Sequence, residues 1–116
     1  MRDYRLFLQD ILAAMDSIQE FVVGMTINEF INDDKTSSAV IRKLEIIGEA
    51  VKQIPPAIKE QYPSVPWKEM AGMRDVLIHF YFGVDLKLTW KTIQEDIPLA
   101  RQQIAGILSD LTADAN

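Results

Sequence analysis

The fold of this chain is decided by residues 4–22, which read YRLFLQDILAAMDSIQEFV. The apolar side chains of this stretch recur at intervals of three and four residues, the spacing that places them on one face of an α-helix. That face consists of Tyr4, Phe7, Leu8, Ile11, Met15, Ile18 and Val22. Asp3 can cap the start of the helix and Gly24 can end it.

The same helical spacing continues along the chain. Thr26 and Glu29 form the pattern of a capping box, and a second long helix turns Val40, Leu44, Ile47, Val51 and Ile54 inward. Pro55 and Pro56 must end that helix, and Pro98 should kink or split the last one at Asp96. The predicted helices cover residues 26–31, 35–54, 56–62, 67–82 and 86–111. We therefore predict an all-α fold, an antiparallel four-helix-type bundle with short extra helices.

Composition limits the function of the chain. Its 116 residues, 48% of them apolar, fit one domain covering residues 1–116 with a substantial core. The absence of cysteine excludes thiolate metal sites, cysteine nucleophiles and disulfides. Charges interrupt what would be the apolar region of a signal peptide at the start, and no stretch is long enough to span a membrane. We expect a cytoplasmic protein that binds no membrane.

The net charge is −5, from 12 basic and 17 acidic residues, which argues against a non-specific nucleic-acid binder. Residues 1–40 carry seven acids against three bases, whereas residues 41–80 carry five acids against six bases. Any phosphate chemistry is therefore expected in the middle of the chain.

Few residues of the sequence suggest a catalytic, phosphate-binding or metal-binding role. The sequence has no phosphate-binding glycine loop, no nucleophile elbow and no zinc-binding HExxH motif. Asp33 and Asp34 are best interpreted as a helix cap with a favourable dipole interaction. Glu45 and Glu49 are interpreted as surface pairs or as polar support for a facing group. A di-metal carboxylate site is disfavoured because the chain has a single histidine.

That histidine, His79, lies in the stretch of residues 73–83, MRDVLIHFYFG. Its ordinary pKa lies near neutral pH, so it can give and take protons. On a helix Arg74 and Tyr81 share one stripe, and His79 lies about 140° from Arg74. Arg74 and His79 can serve one site only if they flank a groove or if a second chain contributes. On spacing alone, a buried hydrogen-bonded histidine and an ordinary arginine ion pair are favoured.

The sequence of this stretch resembles the Arg-x4-His-x-Tyr motif of HEPN domains. Arg74, His79 and Tyr81 occupy the three motif positions. The surrounding sequence resembles the HepT branch over roughly residues 6–108. The resemblance rests on residues 41–50 (IRKLEIIGEA), 62–67 (YPSVPW), 71–74 (AGMR) and 81–85 (YFGVD), followed by Trp90. It implies an all-α homodimer that acts as a metal-independent ribonuclease toxin, with no cofactor, beside a minimal nucleotidyltransferase antitoxin.

The resemblance also implies roles for single residues. Arg74 and His79 match the catalytic pair, and Tyr81 matches the tyrosine that the antitoxin modifies with AMP. Asp75, beside the pair in a supporting or substrate-orienting position, replaces a common asparagine and adds a negative charge. Phe80 replaces a common glycine and adds bulk. From the sequence alone, a packed aromatic role for Tyr81 is equally favoured.

Three functions remain for the chain at this stage. The first is endonucleolytic cleavage of RNA, with tRNA and mRNA both open as targets, at a site shared by two protomers. The second is a non-catalytic helical dimer that binds a nucleotidyltransferase, which the acidic charge, Asp75 and Phe80 favour. The third, a bundle without a site, leaves the motifs unexplained. Trp67 and Trp90 are assigned to packing in the core or at an interface.

Overall fold

The computed structural model of the chain describes residues 3–72 and 85–114. Every regular element in these ranges is helical, which confirms the predicted all-α fold class. The elements are α1 (Tyr4–Phe21), α2 (Ile27–Ile31), α3 (Asp34–Lys52), α4 (Pro56–Gln61), α5 (Trp67–Ala71), α6 (Leu86–Lys91), a π-helical turn (Thr92–Asp96) and α7 (Ile97–Asp114).

Helices α1, α2, α3 and α6 begin where short polar side chains satisfy free backbone N–H groups of the first turn. Asp3 accepts a hydrogen bond from the N–H of Arg5 at the start of α1. Before α2, Thr26 and Glu29 form the predicted capping box, in which each side chain accepts a hydrogen bond from the backbone of the other residue. The three predicted caps at Asp3, Thr26 and Asp33 are therefore confirmed.

The core lies between α1, α3 and α7. α1 packs along α3 and also against α7, and α5 packs on α3. The central side chains are at most 2% exposed: Leu8, Ile11, Met15 and Ile18 from α1, Val40, Leu44, Ile47 and Val51 from α3, and Ile97, Ile104 and Ile107 from α7. Each fully buried aliphatic side chain of this kind contributes about 1.5–3 kcal/mol through the hydrophobic effect. The inward faces predicted for the first two long helices are confirmed, except that Tyr4 and Phe7 are only partly buried.

Several predicted helix ends are wrong, and the last helix continues to Asp114 instead of ending at residue 111. α3 ends at Lys52 rather than at residue 54, because the ring of Pro55 disfavours helical geometry in the residue before it. The single helix predicted over residues 67–82 is interrupted, since α5 ends at Ala71 and Gly72 forms its C-cap. Glycine has a low helix propensity, so little free energy is lost when the helix ends at this position. Residues 73–82 of the predicted helix lie outside the described residues.

The predicted disturbance before Pro98 takes the form of a π-helical turn that ends at Asp96. The N–H of Ile97 donates to the carbonyl of Thr92, five residues earlier, instead of four. This wider turn suits Pro98, which has no N–H to donate and whose ring would clash with a carbonyl four residues before it. The chain stays helical on both sides of the turn.

The two tryptophans pack as predicted, in the core rather than on the open surface. Trp67 is 8% exposed, and its indole N–H donates to the carbonyl of Tyr62 at 3.0 Å. Trp90 is partly buried against Phe30, with 5.3 Å between the ring centroids. Among the described helices, none has the length and apolar character needed to cross a membrane.

Candidate functional site

The residues with predicted chemical roles, Arg74, Asp75, His79 and Tyr81, lie outside the described residues, as does Phe80. The structure does describe the two points where the chain enters and leaves this segment. It also describes the surface of α3 that lies beside both points.

The chain enters the motif segment from α5, which is held tightly on α3. Met70 of α5 is 1% exposed and belongs to the core. A Cβ atom at Gly48 of α3 would lie 3.1 Å from the carbonyl oxygen of Ala71 and 3.7 Å from that of Met70. Glycine at position 48 thus allows the backbone of α5 to approach α3 more closely than another residue would.

The chain returns to the described structure at Asp85, which starts α6. The carboxylate of Asp85 accepts from the N–H of Leu88 at 3.0 Å, and its carbonyl accepts from the hydroxyl of Thr89 at 2.7 Å. α6 then packs on α2 through Trp90 and the fully buried Phe30. Both ends of the motif segment are consequently anchored on buried parts of the bundle.

Two adjoining grooves run along α3. The first lies between α1 and α3 and has a volume of about 500 Å³. Its lining residues are Phe7 and Asp10 from α1, and Arg42, Glu45, Ile46, Glu49, Ala50 and Gln53 from α3. The second, of about 340 Å³, lies between the N-terminal half of α3 and Leu86 of α6. Arg42 and Glu45 line both grooves.

Two of the charged side chains that line the first groove, Arg42 and Glu49, take part in long ion pairs. Arg42 lies 3.5 Å from Glu45, and Lys52 lies 3.5 Å from Glu49. The side chains of Arg42 and Glu49 are 70% and 75% exposed, so these contacts are worth little to stability. The surface pairs predicted for Glu45 and Glu49 are confirmed, and both carboxylates also face the groove.

The start of α3 carries the clearest electrostatic shift near the grooves. A backbone hydrogen bond and a hydroxyl hydrogen bond from Thr36, at 3.0 and 2.8 Å, lower the pKa of Asp33. This confirms the cap predicted for the Asp33–Asp34 pair, and Asp34 lies in the first turn of α3. Over residues 3–72 and 85–114, no cluster of three or more histidine, aspartate or glutamate side chains has the arrangement of a metal site.

The groove between α1 and α3 was not predicted from the sequence. The sequence contains part of the evidence for it. A polar stripe runs beside the apolar stripe of α3 at intervals of three and four residues, and it consists of Arg42, Glu45, Glu49 and Gln53. Which helix faces this polar stripe depends on tertiary packing. The role of Gly48 was missed for the same reason.

Comparison with known proteins decides the family. Residues 11–107 match the model of the family described as "Ribonuclease HepT-like". This chain belongs to the HepT-like ribonuclease family. The match covers α1 from Ile11 onward, all of α3, and the motif segment between α5 and α6.

Relatives of this HepT-like chain carry ribonuclease names. A protein of Methanocaldococcus jannaschii named "Putative RNase" is 52% identical over 110 residues, 95% of each chain. "Probable ribonuclease HepT" of Thermococcus cleftensis is 53% identical over 97 residues, which are 84% of this chain and 88% of the relative. A "Putative RNase" of Caldanaerobacter subterraneus is 44% identical over 108 residues, 93% and 96% of the two chains. No solved structure matches this HepT-like chain.

Proposed function

We propose that this chain is a ribonuclease toxin that cleaves RNA without a metal ion, at a site containing Arg74 and His79. The observation that carries the proposal is the complete set of Arg74, His79 and Tyr81 in a chain that matches a ribonuclease family over residues 11–107. The packing of α5 on α3 and of α6 on α2 supports it, because a catalytic segment needs fixed ends. Since RNA is the proposed substrate, we place the activity in the cytoplasm.

The proposed reaction uses the 2′-hydroxyl of RNA as the nucleophile. One histidine takes the proton of the 2′-hydroxyl while the 2′ oxygen forms a bond to the adjacent phosphorus. The bond from phosphorus to the 5′ oxygen breaks, and a second histidine donates a proton to that leaving oxygen. The products are a 2′,3′-cyclic phosphate and a 5′-hydroxyl. Arg74 stabilises the negative charge on the phosphate oxygens.

This chemistry requires two protomers, since each chain has one histidine. A homodimer with two-fold symmetry brings Arg74 and His79 of both copies to one cleft. The cleavage rate per chain is then expected to fall once dilution dissociates the dimer, as followed by analytical ultracentrifugation. A constant rate per chain across dissociation contradicts the shared site.

Tyr81 is the proposed point of control. A nucleotidyltransferase antitoxin transfers AMP to its hydroxyl and so puts bulk and negative charge where an RNA phosphate must bind. The modified chain is inactive because of steric exclusion and repulsion between like charges.

Cleavage assays test the ribonuclease activity directly. Purified chain is incubated with total cellular RNA or tRNA in the presence of a chelator, together with the variants His79→Ala and Arg74→Ala. We expect cleavage by the natural chain, its loss in both variants, and its retention in Arg5→Ala, an arginine control at the exposed start of α1. No cleavage by the unmodified natural dimer contradicts the proposal.

A second candidate is a non-catalytic helical dimer that binds a nucleotidyltransferase. The net charge of −5 and the negative charge of Asp75 favour it, because both oppose binding of RNA. Expression without the antitoxin separates the two functions. Growth arrest that His79→Ala relieves supports the ribonuclease, and unaffected growth supports the binding partner.

A further inference from the structure

A small pocket between α5 and α7 combines an apolar floor with an acidic rim. We call it the α5–α7 pocket, and its lining residues are Pro66, Glu69, Met70, Asp96, Leu99, Ala100 and Gln103. Met70 and Ala100 are 1% and 4% exposed, whereas Leu99 is 60% exposed. The volume of about 210 Å³ is below the roughly 300–1,000 Å³ of small-molecule sites, so the pocket suits a single long side chain.

The charged side chains that line the α5–α7 pocket are all acidic. Glu69 and Asp96 are exposed, and neither forms an ion pair or a side-chain hydrogen bond with a described residue. Two basic residues lie nearby in the sequence, Lys68 and Arg101, but neither lines the pocket. Arg101 is instead paired with Asp16 of α1. The electrostatic potential of the pocket therefore favours a cation over an anion.

Gln103 adds a buried acceptor to these two carboxylates. Its Nε2 donates to the carbonyl of Ser64 at 3.0 Å, which fixes the orientation of the amide. The other end of the amide, Oε1, is buried, and no described residue donates a hydrogen bond to it. A buried acceptor without a donor costs free energy, so a ligand with several N–H groups gains affinity by satisfying it.

We propose that the α5–α7 pocket binds an arginine side chain that a protein partner presents. The methylene groups of the arginine lie along Leu99 and Met70. Its guanidinium donates to the carboxylates of Glu69 and Asp96 and to Oε1 of Gln103. Arginine fits better than lysine, because a guanidinium has five N–H donors and is more weakly hydrated than an ammonium group. This inference goes beyond the proposed ribonuclease function and is independent of it, since none of these residues takes part in the proposed cleavage.

Peptide titrations followed by amide resonances of the ¹⁵N-labelled full chain test the pocket. The probe is a short capped peptide with one arginine flanked by glycines. Its control carries citrulline, which has the same length and shape as arginine but no charge. We expect saturable shifts at Met70, Ala100 and Gln103. The arginine peptide should bind at least about tenfold more tightly than the citrulline peptide, because hydrogen bonds between charged groups are stronger than neutral ones.

Matched variants isolate the acidic rim. Glu69→Gln and Asp96→Asn keep the shape of each side chain and remove its charge, so the double variant should bind both peptides with equal affinity. Glu60→Gln makes the same change as Glu69→Gln on α4, outside the lining of the pocket, and should keep the preference for arginine. Leu99→Ala should weaken both peptides by the same factor, since it removes an apolar contact and no charge.

The titrations also decide between occupants. An unchanged preference for arginine in the double variant overturns the proposal, as does the absence of saturable shifts in the natural chain. Binding of a norleucine peptide as tightly as the arginine peptide overturns it in favour of a purely apolar site. Equal or tighter binding of a lysine peptide overturns the choice of arginine.

Discussion

The carbonyl oxygen of Ala71 lies over Gly48, 3.1 Å from the position that a Cβ atom would occupy there. An added methyl group at this contact forces α5 away from α3 by a few tenths of an ångström, because its neighbour is backbone that no rotamer change can move. The displacement occurs one residue before Gly72, where the motif segment follows.

We predict that Gly48→Ala costs more activity than stability. Alanine favours a helix over glycine by about 1 kcal/mol, which offsets part of the steric cost in unfolding measurements. The displacement of α5 remains, however, so the rate of RNA cleavage should fall severalfold.

Gly106→Ala is the matched control for this substitution. Gly106 lies in α7, and a Cβ atom there would meet nothing within 4 Å. We expect Gly106→Ala to raise the free energy of unfolding by up to about 1 kcal/mol and to leave cleavage unchanged. Equal stabilisation by both substitutions, with unchanged cleavage, would contradict the tight contact at Gly48.

We predict that Asp33 makes stability depend on acid pH. Hydrogen bonds from Thr36 lower its pKa in the folded chain below the ordinary value of 3.8. Its contribution is therefore complete above pH 3.8 and is lost as the pH falls through the lower, folded-state pKa. Chemical denaturation between about pH 5 and about pH 2 should show a steeper loss for the natural chain than for Asp33→Asn.

Asparagine caps helices about as well as aspartate but does not titrate in this range. Asp33→Asn should therefore resemble the natural chain near neutral pH, whereas Asp33→Ala should be less stable at every pH. If the natural chain and Asp33→Asn lose stability in parallel on acidification, the proposed titration of Asp33 is wrong.

We predict that Phe30→Ala lowers the free energy of unfolding by about 3–5 kcal/mol, because Phe30 is fully buried against Trp90. The change in the surroundings of Trp90 should also alter its fluorescence. Ile27→Ala, on the same short helix but 38% exposed, should cost much less. Similar losses for both variants would show that α2 contributes no specific packing to α6.

We predict that Tyr81→Phe blocks neutralisation without blocking toxicity, since phenylalanine has no hydroxyl to accept AMP. On co-expression with the nucleotidyltransferase, the natural chain should gain the mass of AMP and Tyr81→Phe should not. Tyr62→Phe, which keeps Tyr81, should still be modified. If intact-mass measurements show that the natural chain stays unmodified, the proposed addition of AMP to Tyr81 is wrong.

The fold could be predicted from the sequence wherever local chemistry decides it. The apolar spacing from Leu8 to Val22 and the caps at Asp3, Thr26 and Asp33 are properties of neighbouring residues, and they were predicted correctly. The early end of α5 was missed because Gly72 acts through a turn that helix spacing does not reveal.

The residues proposed for the site come from the sequence motif. Arg74, His79 and Tyr81 stand out by their similarity to a family motif, since their spacing alone favours an ordinary structural role. The groove could not be predicted because Phe7 and Glu49 are separated by more than forty residues and meet only when α1 packs on α3. Pairing between distant helices is a property of the whole core.

The π-helical turn at Thr92–Asp96 also bears on how chains of this family can change in length. It contains the exposed residues Gln94 and Glu95, so a deletion of one of them would remove no core side chain. Such a deletion would tighten the turn to ordinary α-geometry, in which the ring of Pro98 clashes with a preceding carbonyl. A shortened chain would therefore need to lose the proline as well, which makes the deletion and the proline replacement a coupled pair of evolutionary changes.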